Sequence, residues 1–164
     1  MNFKYIILII TLIVLGYRHI DLTNKYNKAK VPTYILVQSA PEKANKQDHI
    51  LTDYAVDKYS KKYKVDKGLI YAIIKHESGY RKNVVSSAGC IGLMQISPDK
   101  AIHPFDIEEN IEAGTKYISY LINKYNGSVS KALWAYNAGP TNVDNNRVPS
   151  STKKYARRII GDSK

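Results

Sequence analysis

Several features that often identify the class of a protein are scarce in this sequence. A single cysteine, Cys90, among 164 residues excludes an intramolecular disulfide. Acidic residues are outnumbered, with 14 Asp and Glu against 25 Lys and Arg. Such an excess suits an anionic partner, whether nucleic acid, a membrane surface or an acidic polymer of the cell envelope. Internal repeats and low-complexity tracts are missing, so the length fits one compact domain with a modest appendage.

The N-terminus carries a long apolar run. Residues 5–17, YIILIITLIVLGY, follow Lys4 and contain no charge. Their number fits the core of an export signal, about 7–15 residues, better than the roughly 20 residues of a spanning helix. An uncleaved membrane anchor is the alternative, and both predict export to the periplasm or to the outer face of the cytoplasmic membrane. We predict a signal or anchor over residues 1–20, a Lys- and Asn-rich tether over residues 21–48 and a compact domain over residues 49–164.

The compact domain shows the three- and four-residue spacing of apolar residues that is typical of helices. Asp66 and Asp106 are placed as N-caps, and DIEE, from Asp106 to Glu109, resembles a capping box. Gly79 is placed to end the second helix. We predict helices over residues 51–63, 66–79, 106–126 and 129–139, and a short helix from residue 152. A glycine-punctuated loop separates the second helix from the third, so the domain is predicted to be mainly α-helical.

The stretch HESGY begins like the helix of a zinc protease but does not continue as one. The H-E-x-x-H motif needs a second histidine four residues after the first, where this chain has Tyr80. The other histidines form no ligand spacing with His76, so no metal is expected. Because neighbouring residues on a helix point about a hundred degrees apart, His76 is expected to face solvent and to have no role.

Glu77 has an unusual position for a carboxylate. It follows Ile74 by three residues and Ile73 by four, which places it on the apolar stripe of the helix. Burial and the negative end of the helix dipole raise the pKa of such a carboxyl group, so that it holds a proton near neutral pH. Cleavage of a glycosidic bond requires a protonated acid of this kind. An ion pair of Glu77 with a lysine or arginine is the plainer alternative, and helix geometry alone slightly favours it.

Four sequence blocks, HESGY, SSAGCIGLMQISP, NIEAGTKYI and AYNAGP, occur in this order within about residues 51–160. In order and spacing they resemble the lytic transglycosylase family of the soluble type, the SLT domain. The resemblance implies a mainly α-helical, lysozyme-like fold, in which the irregular glycine-rich loop forms the substrate cleft. It also implies cleavage of the β-1,4 bond after N-acetylmuramic acid in peptidoglycan, with closure of a 1,6-anhydro ring. Glu77 would be the single catalytic acid and base, and neither a metal nor another cofactor is implied.

The same resemblance assigns residues to the substrate cleft. The expected substrate-binding residues are Ser86, Gly89, Gly92, Gln95, Tyr136 and Asn137. The serine matches the one beside the sugar N-acetyl group, and the glycines allow the backbone to approach the glycan closely. The phenol of Tyr136 is expected near the catalytic carboxylate, and Gln95 is expected to face the cleft. Leu93, Met94 and Trp134 are expected in the core.

Three positions depart from the family pattern. Cys90 replaces the usual alanine, which conserves volume and predicts a small buried residue, not a nucleophile. Ser97 stands where methionine is frequent, which is expected to alter one sugar subsite. Ser151 replaces the glutamate of a P-x-E-T pattern, which puts one polar contact behind the cleft in doubt.

Other functions fit parts of the sequence. A hydrolase of the goose-type lysozyme kind shares the implied fold and needs a positioned water. A catalytically weak binding or scaffold module is opposed by the intact Glu77. We do not expect nucleic acid to be a partner. Only the net positive charge suggests it, and no basic stripe with interleaved aromatic residues accompanies that charge. Small members of the family often serve secretion or conjugation machines, so the implied partners are glycan strands, the membrane through the N-terminal segment and an envelope complex.

Overall fold

Six α-helices make up most of the chain that the structure describes, which is residues 46–164 of a computed structural model. The predicted signal or anchor and nearly all of the tether lie outside the described residues. The helices are α1 (Lys46–Tyr63), α2 (Lys67–Glu77), α3 (Ile107–Lys124), α4 (Val129–Ala138), α5 (Pro140–Asp144) and α6 (Ser150–Asp162), with a 3₁₀ turn at Pro98–Lys100. The mainly α-helical prediction is confirmed. Helix α5 was not predicted, and α1 begins within the segment assigned to the tether.

Aspartates begin two of the helices as predicted. The Asp66 carboxylate accepts the Leu69 N–H at 3.0 Å, and the Asp106 carboxylate accepts the Glu109 N–H at 2.9 Å. These bonds satisfy donors that the first turn of a helix leaves free. The reciprocal half of the predicted capping box is not formed. The Glu109 carboxylate instead accepts the backbone N–H of His103 at 2.9 Å and lies 2.8 Å from its ring Nδ1.

Helix α2 passes through the centre of the core. Its side chains Ile70, Ile73 and Ile74 are fully buried, and the helix packs against α1 and α6. Burying an aliphatic side chain of this size contributes roughly 1.5–3 kcal/mol to stability. The last residue of α2, Glu77, is therefore held by a helix whose apolar face is fully buried.

Helix α3 lies along α1, and regularly spaced ion pairs join the two. Lys58 pairs with Glu108 at 2.6 Å, and Lys62 pairs with Glu112 at 2.5 Å. All four side chains are partly exposed, so each pair contributes little stability. The members of the two pairs lie four residues apart on each helix, so both pairs agree with one register of α1 against α3.

The loop between α2 and α3 is irregular but well packed. Isolated antiparallel bridges join Val85 to Ile91 and Ile91 to Ile96. The prediction that Leu93 and Met94 belong to the core is confirmed, because their side chains are 2% and 0% exposed. Within the described residues, no helix is both long enough and apolar enough to cross a membrane.

Candidate active site

Glu77 lies at the C-terminal end of α2, where the chain turns sharply. Gly79 and Tyr80 both adopt positive φ, at 59° and 63°, and carry the chain away from the helix. The Glu77 side chain is partly buried, and its Oε1 accepts a hydrogen bond from the Tyr155 hydroxyl of α6. None of the ion pairs among residues 46–164 includes Glu77, so the alternative of a lysine or arginine partner is not formed there.

The surroundings of Glu77 favour its protonated form. Burial is the largest influence and raises the pKa of the carboxyl group above its ordinary value of 4.5. The hydrogen bond from Tyr155 and the charge of His76 lower the pKa, but they do not cancel the effect of burial. Among residues 46–164, the side chains whose hydrogen bond or charge acts on this carboxyl group are thus a phenol and an imidazole.

Tyr155 is a residue of the site that the sequence analysis did not single out. Burial and the nearby charge of Glu77 raise the pKa of its phenol well above the ordinary value of 10.0, so the hydroxyl keeps its proton and remains a donor. The two residues lie 78 positions apart in the sequence, beyond the reach of any local pattern. The signal that could have pointed to Tyr155 is its place shortly after residues 149–152, where the family has its P-x-E-T pattern before a tyrosine.

Tyr136 of α4 lies near Glu77, as expected from the resemblance. The charge of Glu77 contributes to raising the pKa of Tyr136, second only to burial. The Tyr136 hydroxyl, however, donates to the carbonyl oxygen of Met94 at 2.7 Å. It therefore ties the loop to α4, and Tyr155 supplies the hydrogen bond to the carboxylate.

His76 is more buried than expected, and the expectation that it has no functional role stays a prediction. Its side chain is only 22% exposed, and its Nε2 lies 2.8 Å from Oδ2 of Asp162, the last residue of α6. Lys75 reaches the same oxygen at 2.9 Å. These contacts join the end of α2 to the end of α6, the helix that carries Tyr155.

Ser86 and Gly89 form a tight turn with Cys90. The Ser86 N–H donates to the Cys90 carbonyl at 2.9 Å, and the Ser86 hydroxyl oxygen accepts the Cys90 N–H at 3.0 Å. Gly89 has a φ of 80°, and a Cβ there would meet no atom within 4 Å. Glycine is required at this position by its backbone conformation, and the space beside it is open. The Cys90 thiol is close enough to Tyr136 to contribute to its raised pKa.

Gln95 holds the loop together more than it faces outwards. It has a φ of 46°, which is uncommon for a residue other than glycine. Its side-chain amide nitrogen donates to the carbonyl of Val84 at 3.1 Å and to that of Gly92 at 2.9 Å. Within residues 46–164, the side-chain oxygen of Gln95 accepts no hydrogen bond.

Asn110 of α3 is a buried amide that organises the same loop and that the sequence analysis missed. Its Oδ1 accepts the Met94 N–H at 2.8 Å, and its Nδ2 donates to the carbonyls of Ile91 at 2.9 Å and Pro104 at 2.7 Å. A Cβ on Gly92 would lie 2.2 Å from this Nδ2. A glycine is therefore needed at position 92 so that the backbone can pack against Asn110. The expected reason was a different one, the close approach of the backbone to a glycan.

Asn137 and Trp134 lie where α4 meets α6. Asn137 is exposed, and its side-chain oxygen accepts the Thr152 hydroxyl at 2.7 Å. Trp134 lies at the edge of the core and not within it, with the Lys153 ammonium 5.6 Å from its ring centroid. The structure thus brings Glu77, Tyr136 and Tyr155 together. Among the described residues, neither Ser86, Gln95 nor Asn137 forms a hydrogen bond with Glu77.

The residues of this site fall within a match to a known protein family. The family model described as the transglycosylase SLT domain matches residues 54–159. A membrane-bound lytic murein transglycosylase C from Photorhabdus laumondii is 31% identical and aligns with 85% of this chain and 46% of its own length. The protein of the same name from Cronobacter sakazakii is 30% identical and aligns with 85% of this chain and 44% of its own length. The chain spans less than half the length of these curated relatives.

Solved structures of similar fold carry related names. The 70 kDa soluble lytic transglycosylase from Escherichia coli superimposes with a TM-score of 0.62 at 25% identity, over 68% of this chain and 23% of that one. An inactive mutant of the lytic transglycosylase Slt from Pseudomonas aeruginosa gives a TM-score of 0.63 at 21% identity over the same shares. These likenesses confirm the predicted lysozyme-like fold class.

Proposed function

The chain belongs to the transglycosylase SLT domain family, and we propose that it is a peptidoglycan lytic transglycosylase. The proposed reaction cleaves the β-1,4 bond between N-acetylmuramic acid and N-acetylglucosamine and leaves a 1,6-anhydro muramic end. The observation that carries this proposal is the environment of Glu77: a partly buried carboxyl group whose pKa is raised and whose neighbours are a phenol and an imidazole. The names of the Photorhabdus and Cronobacter relatives agree with it.

In the first step Glu77 acts as a general acid. Its proton passes to the glycosidic oxygen while the bond from C1 of the muramic acid to that oxygen breaks, and the leaving sugar gains a hydroxyl group. Burial supports this role because it keeps the carboxyl group protonated at a higher pH than an exposed glutamate. The Tyr155 hydroxyl holds Oε1 and leaves Oε2 for the substrate.

In the second step the Glu77 carboxylate acts as a base. It takes the proton of the muramic acid C6 hydroxyl, and the C6 oxygen bonds to C1 to close the anhydro ring. No water enters and Glu77 ends protonated, ready for another cycle. The Tyr155 hydrogen bond stabilises the carboxylate between the two steps, since a bond to the charged form favours it. Neither step calls for a second carboxylate, in contrast to the two-carboxylate template of glycosidases.

We propose that the loop and α4 hold the glycan beside Glu77. Ser86 would bind the sugar N-acetyl group, and Gly89 would let the backbone approach the strand, which its open surroundings allow. Gln95 would accept a hydrogen bond through its free side-chain oxygen. Tyr136 and Asn137 would shape the cleft from α4.

The proposal is tested by digesting purified peptidoglycan with the purified protein and analysing the released muropeptides by mass spectrometry. We expect terminal muramic residues one water lighter than hydrolytic products. Reducing-end muropeptides as the main product would instead assign the chain to the goose-type lysozyme activity. If no muropeptides are released by a folded protein, neither activity holds.

We further propose that the enzyme is exported and acts in the periplasm or on the outer face of the cytoplasmic membrane. The apolar run at residues 5–17 and the membrane-bound relatives support this. The protein can be fused at its C-terminus to a reporter enzyme that works only outside the cytoplasm, and we expect this reporter to be active. If the intact fusion protein is abundant but its reporter is inactive, export is contradicted. A role in opening the wall for a secretion or conjugation machine is the finer proposal, and co-purification of such a complex with the enzyme would test it.

A further inference from the structure

Polar contacts hold helix α6 against the end of α2 at two places. The Tyr155 hydroxyl donates to Glu77, and Oδ2 of Asp162 lies 2.8 Å from Nε2 of His76. Glu77 and His76 are neighbours at the end of α2, whereas Tyr155 and Asp162 are seven residues apart on α6. Seven residues make nearly two helical turns, so Tyr155 and Asp162 lie on one face of α6, about 10 Å apart along its axis. The second contact therefore holds α6 well away from the first.

The Asp162 carboxylate is the acceptor in this second contact. Lys75 and His76 lower the pKa of its carboxyl group below the ordinary value of 3.8, so the group stays ionised. An ionised carboxylate has no proton to donate, and His76 must therefore donate from Nε2. Hydrogen bonds to a charged acceptor are stronger than neutral ones and keep a directional geometry. The contact is thus able to fix how α6 lies against α2.

His76 is better suited than Lys75 to hold this position, although both side chains reach Oδ2 of Asp162. The Lys75 side chain is 58% exposed, and its ammonium is a point charge on a flexible chain. The His76 side chain is only 22% exposed and ends in a rigid ring. The histidine therefore fixes a direction, whereas the lysine adds attraction that solvent and salt screen.

Apolar packing also holds α6, but it does not fix the direction of the Tyr155 hydroxyl. Ala156 and Ile159 lie between Tyr155 and Asp162 in the sequence and are 1% and 0% exposed. Burial of apolar surface is non-directional, so it tolerates a small rotation or shift of the helix. A hydrogen bond weakens steeply when its geometry departs from the preferred one. The bond from Tyr155 to Glu77 therefore depends on a contact that sets the orientation of α6.

We infer that His76 is a positioning residue: its hydrogen bond to Asp162 holds α6 where the Tyr155 hydroxyl meets Glu77. The inference rests on the proposed function, because Glu77 is the acid and base of that reaction. His76 also acts on Glu77 through its charge, but the Tyr155 bond lowers the pKa of Glu77 more than this charge does. The main effect of His76 should therefore pass through Tyr155.

The test measures kcat and KM of the full chain on solubilised peptidoglycan strands, in the wild-type and Tyr155→Phe backgrounds. We expect His76→Ala to lower kcat by about fivefold in the wild-type background, with KM nearly unchanged. In the Tyr155→Phe background the loss should be less than about twofold, because no phenol bond is left to misplace. His76→Gln should restore kcat to within about twofold of the wild type, since its amide donates to Asp162 without carrying a charge.

Two further variants complete the design. Asp162→Ala removes the same hydrogen bond from the other partner and should reproduce the loss, which keeps the test available if His76→Ala fails to fold. His103→Ala is the matched control, because Nδ1 of His103 also lies 2.8 Å from a carboxylate oxygen, that of Glu109 on α3. That pair does not join α2 to α6, so the control should keep the wild-type kcat.

An unchanged kcat in His76→Ala would overturn the inference and leave the proposed function intact. An equal loss in both backgrounds, or the same loss in His103→Ala, would also overturn it, because the histidine would then act on the stability of the domain and not through Tyr155. If His76→Gln loses as much as His76→Ala, charge and not positioning is responsible, and the inference fails. A folded wild-type protein that releases no muropeptides overturns the proposed function, and this inference with it.

Discussion

Replacing Glu77 by glutamine removes the proton that the proposed mechanism moves and little else. The glutamine side-chain oxygen can still accept the Tyr155 hydroxyl, so the contact between α2 and α6 is kept. A positioned general acid typically contributes about 10²–10⁴-fold to a rate. Because Glu77 serves as acid in one step and as base in the next, we expect the loss to reach the upper end of that range or exceed it.

The same variant tests whether the pKa of Glu77 is raised. Between the ordinary value of 4.5 and the raised value, the folded protein binds more protons than the unfolded chain, so the free energy of unfolding falls as pH rises through this window. The glutamine variant does not lose stability in this way. Its Tm should match that of the wild type near about pH 4 and exceed it near about pH 7.

Digestion of purified peptidoglycan measures the first effect and thermal unfolding at the two pH values measures the second. Glu108→Gln is a suitable control, because Glu108 is a partly exposed glutamate that pairs with Lys58 away from the site. It should keep near wild-type activity and show no gain in Tm at neutral pH. If Glu77→Gln digests peptidoglycan at a near wild-type rate, Glu77 is structural and the reasoning fails.

Three further substitutions probe the surroundings of Glu77. Tyr155→Phe removes a hydrogen bond that lowers the pKa of Glu77, so the pH at which activity falls on the alkaline side should rise. The rate should fall by about tenfold. An unchanged pH–activity profile would contradict this. Asn110→Leu leaves three buried backbone groups without their hydrogen-bond partner and should lower the free energy of unfolding by about 3 kcal/mol, as measured by urea titration. A loss under about 1 kcal/mol would show that the loop does not depend on the Asn110 side chain. Gly92→Ala introduces a Cβ at a φ of 79° and against Asn110, and should lower Tm and activity together, while a variant of wild-type stability would refute the packing argument.

Five of the six helices in residues 46–164, and the N-caps Asp66 and Asp106, could be predicted because their signals are local. Asp66 caps α2 through a residue three positions away, and Ile73 and Ile74 mark its buried face by spacing alone. Glu77 could be singled out for the same reason, since it lies on that face. The capping box at Asp106 failed because a donor outside the helix competes for the Glu109 carboxylate, and spacing does not reveal such a competitor.

The partners of the site residues could not be predicted, because they come from distant parts of the chain. Tyr155 reaches Glu77 from 78 residues away, and Asp162 reaches His76 from 86 residues away. No helical or turn pattern extends over such separations. A buried, hydrogen-bonded role for Asn110 could have been predicted, because its amide lies next to the fully buried Ile111 on an amphipathic helix. A polar residue in that setting needs partners that only the folded chain can supply.

The central claim is that Glu77 closes an anhydro ring without water entering the reaction. Digestion of purified peptidoglycan in water enriched with heavy oxygen tests it most directly, because hydrolysis places an oxygen atom from water on C1 of the terminal muramic acid and ring closure does not. We predict terminal muramic residues of natural oxygen composition, in the anhydro form. Terminal residues that carry the heavy label at C1 would contradict the account and establish a hydrolase.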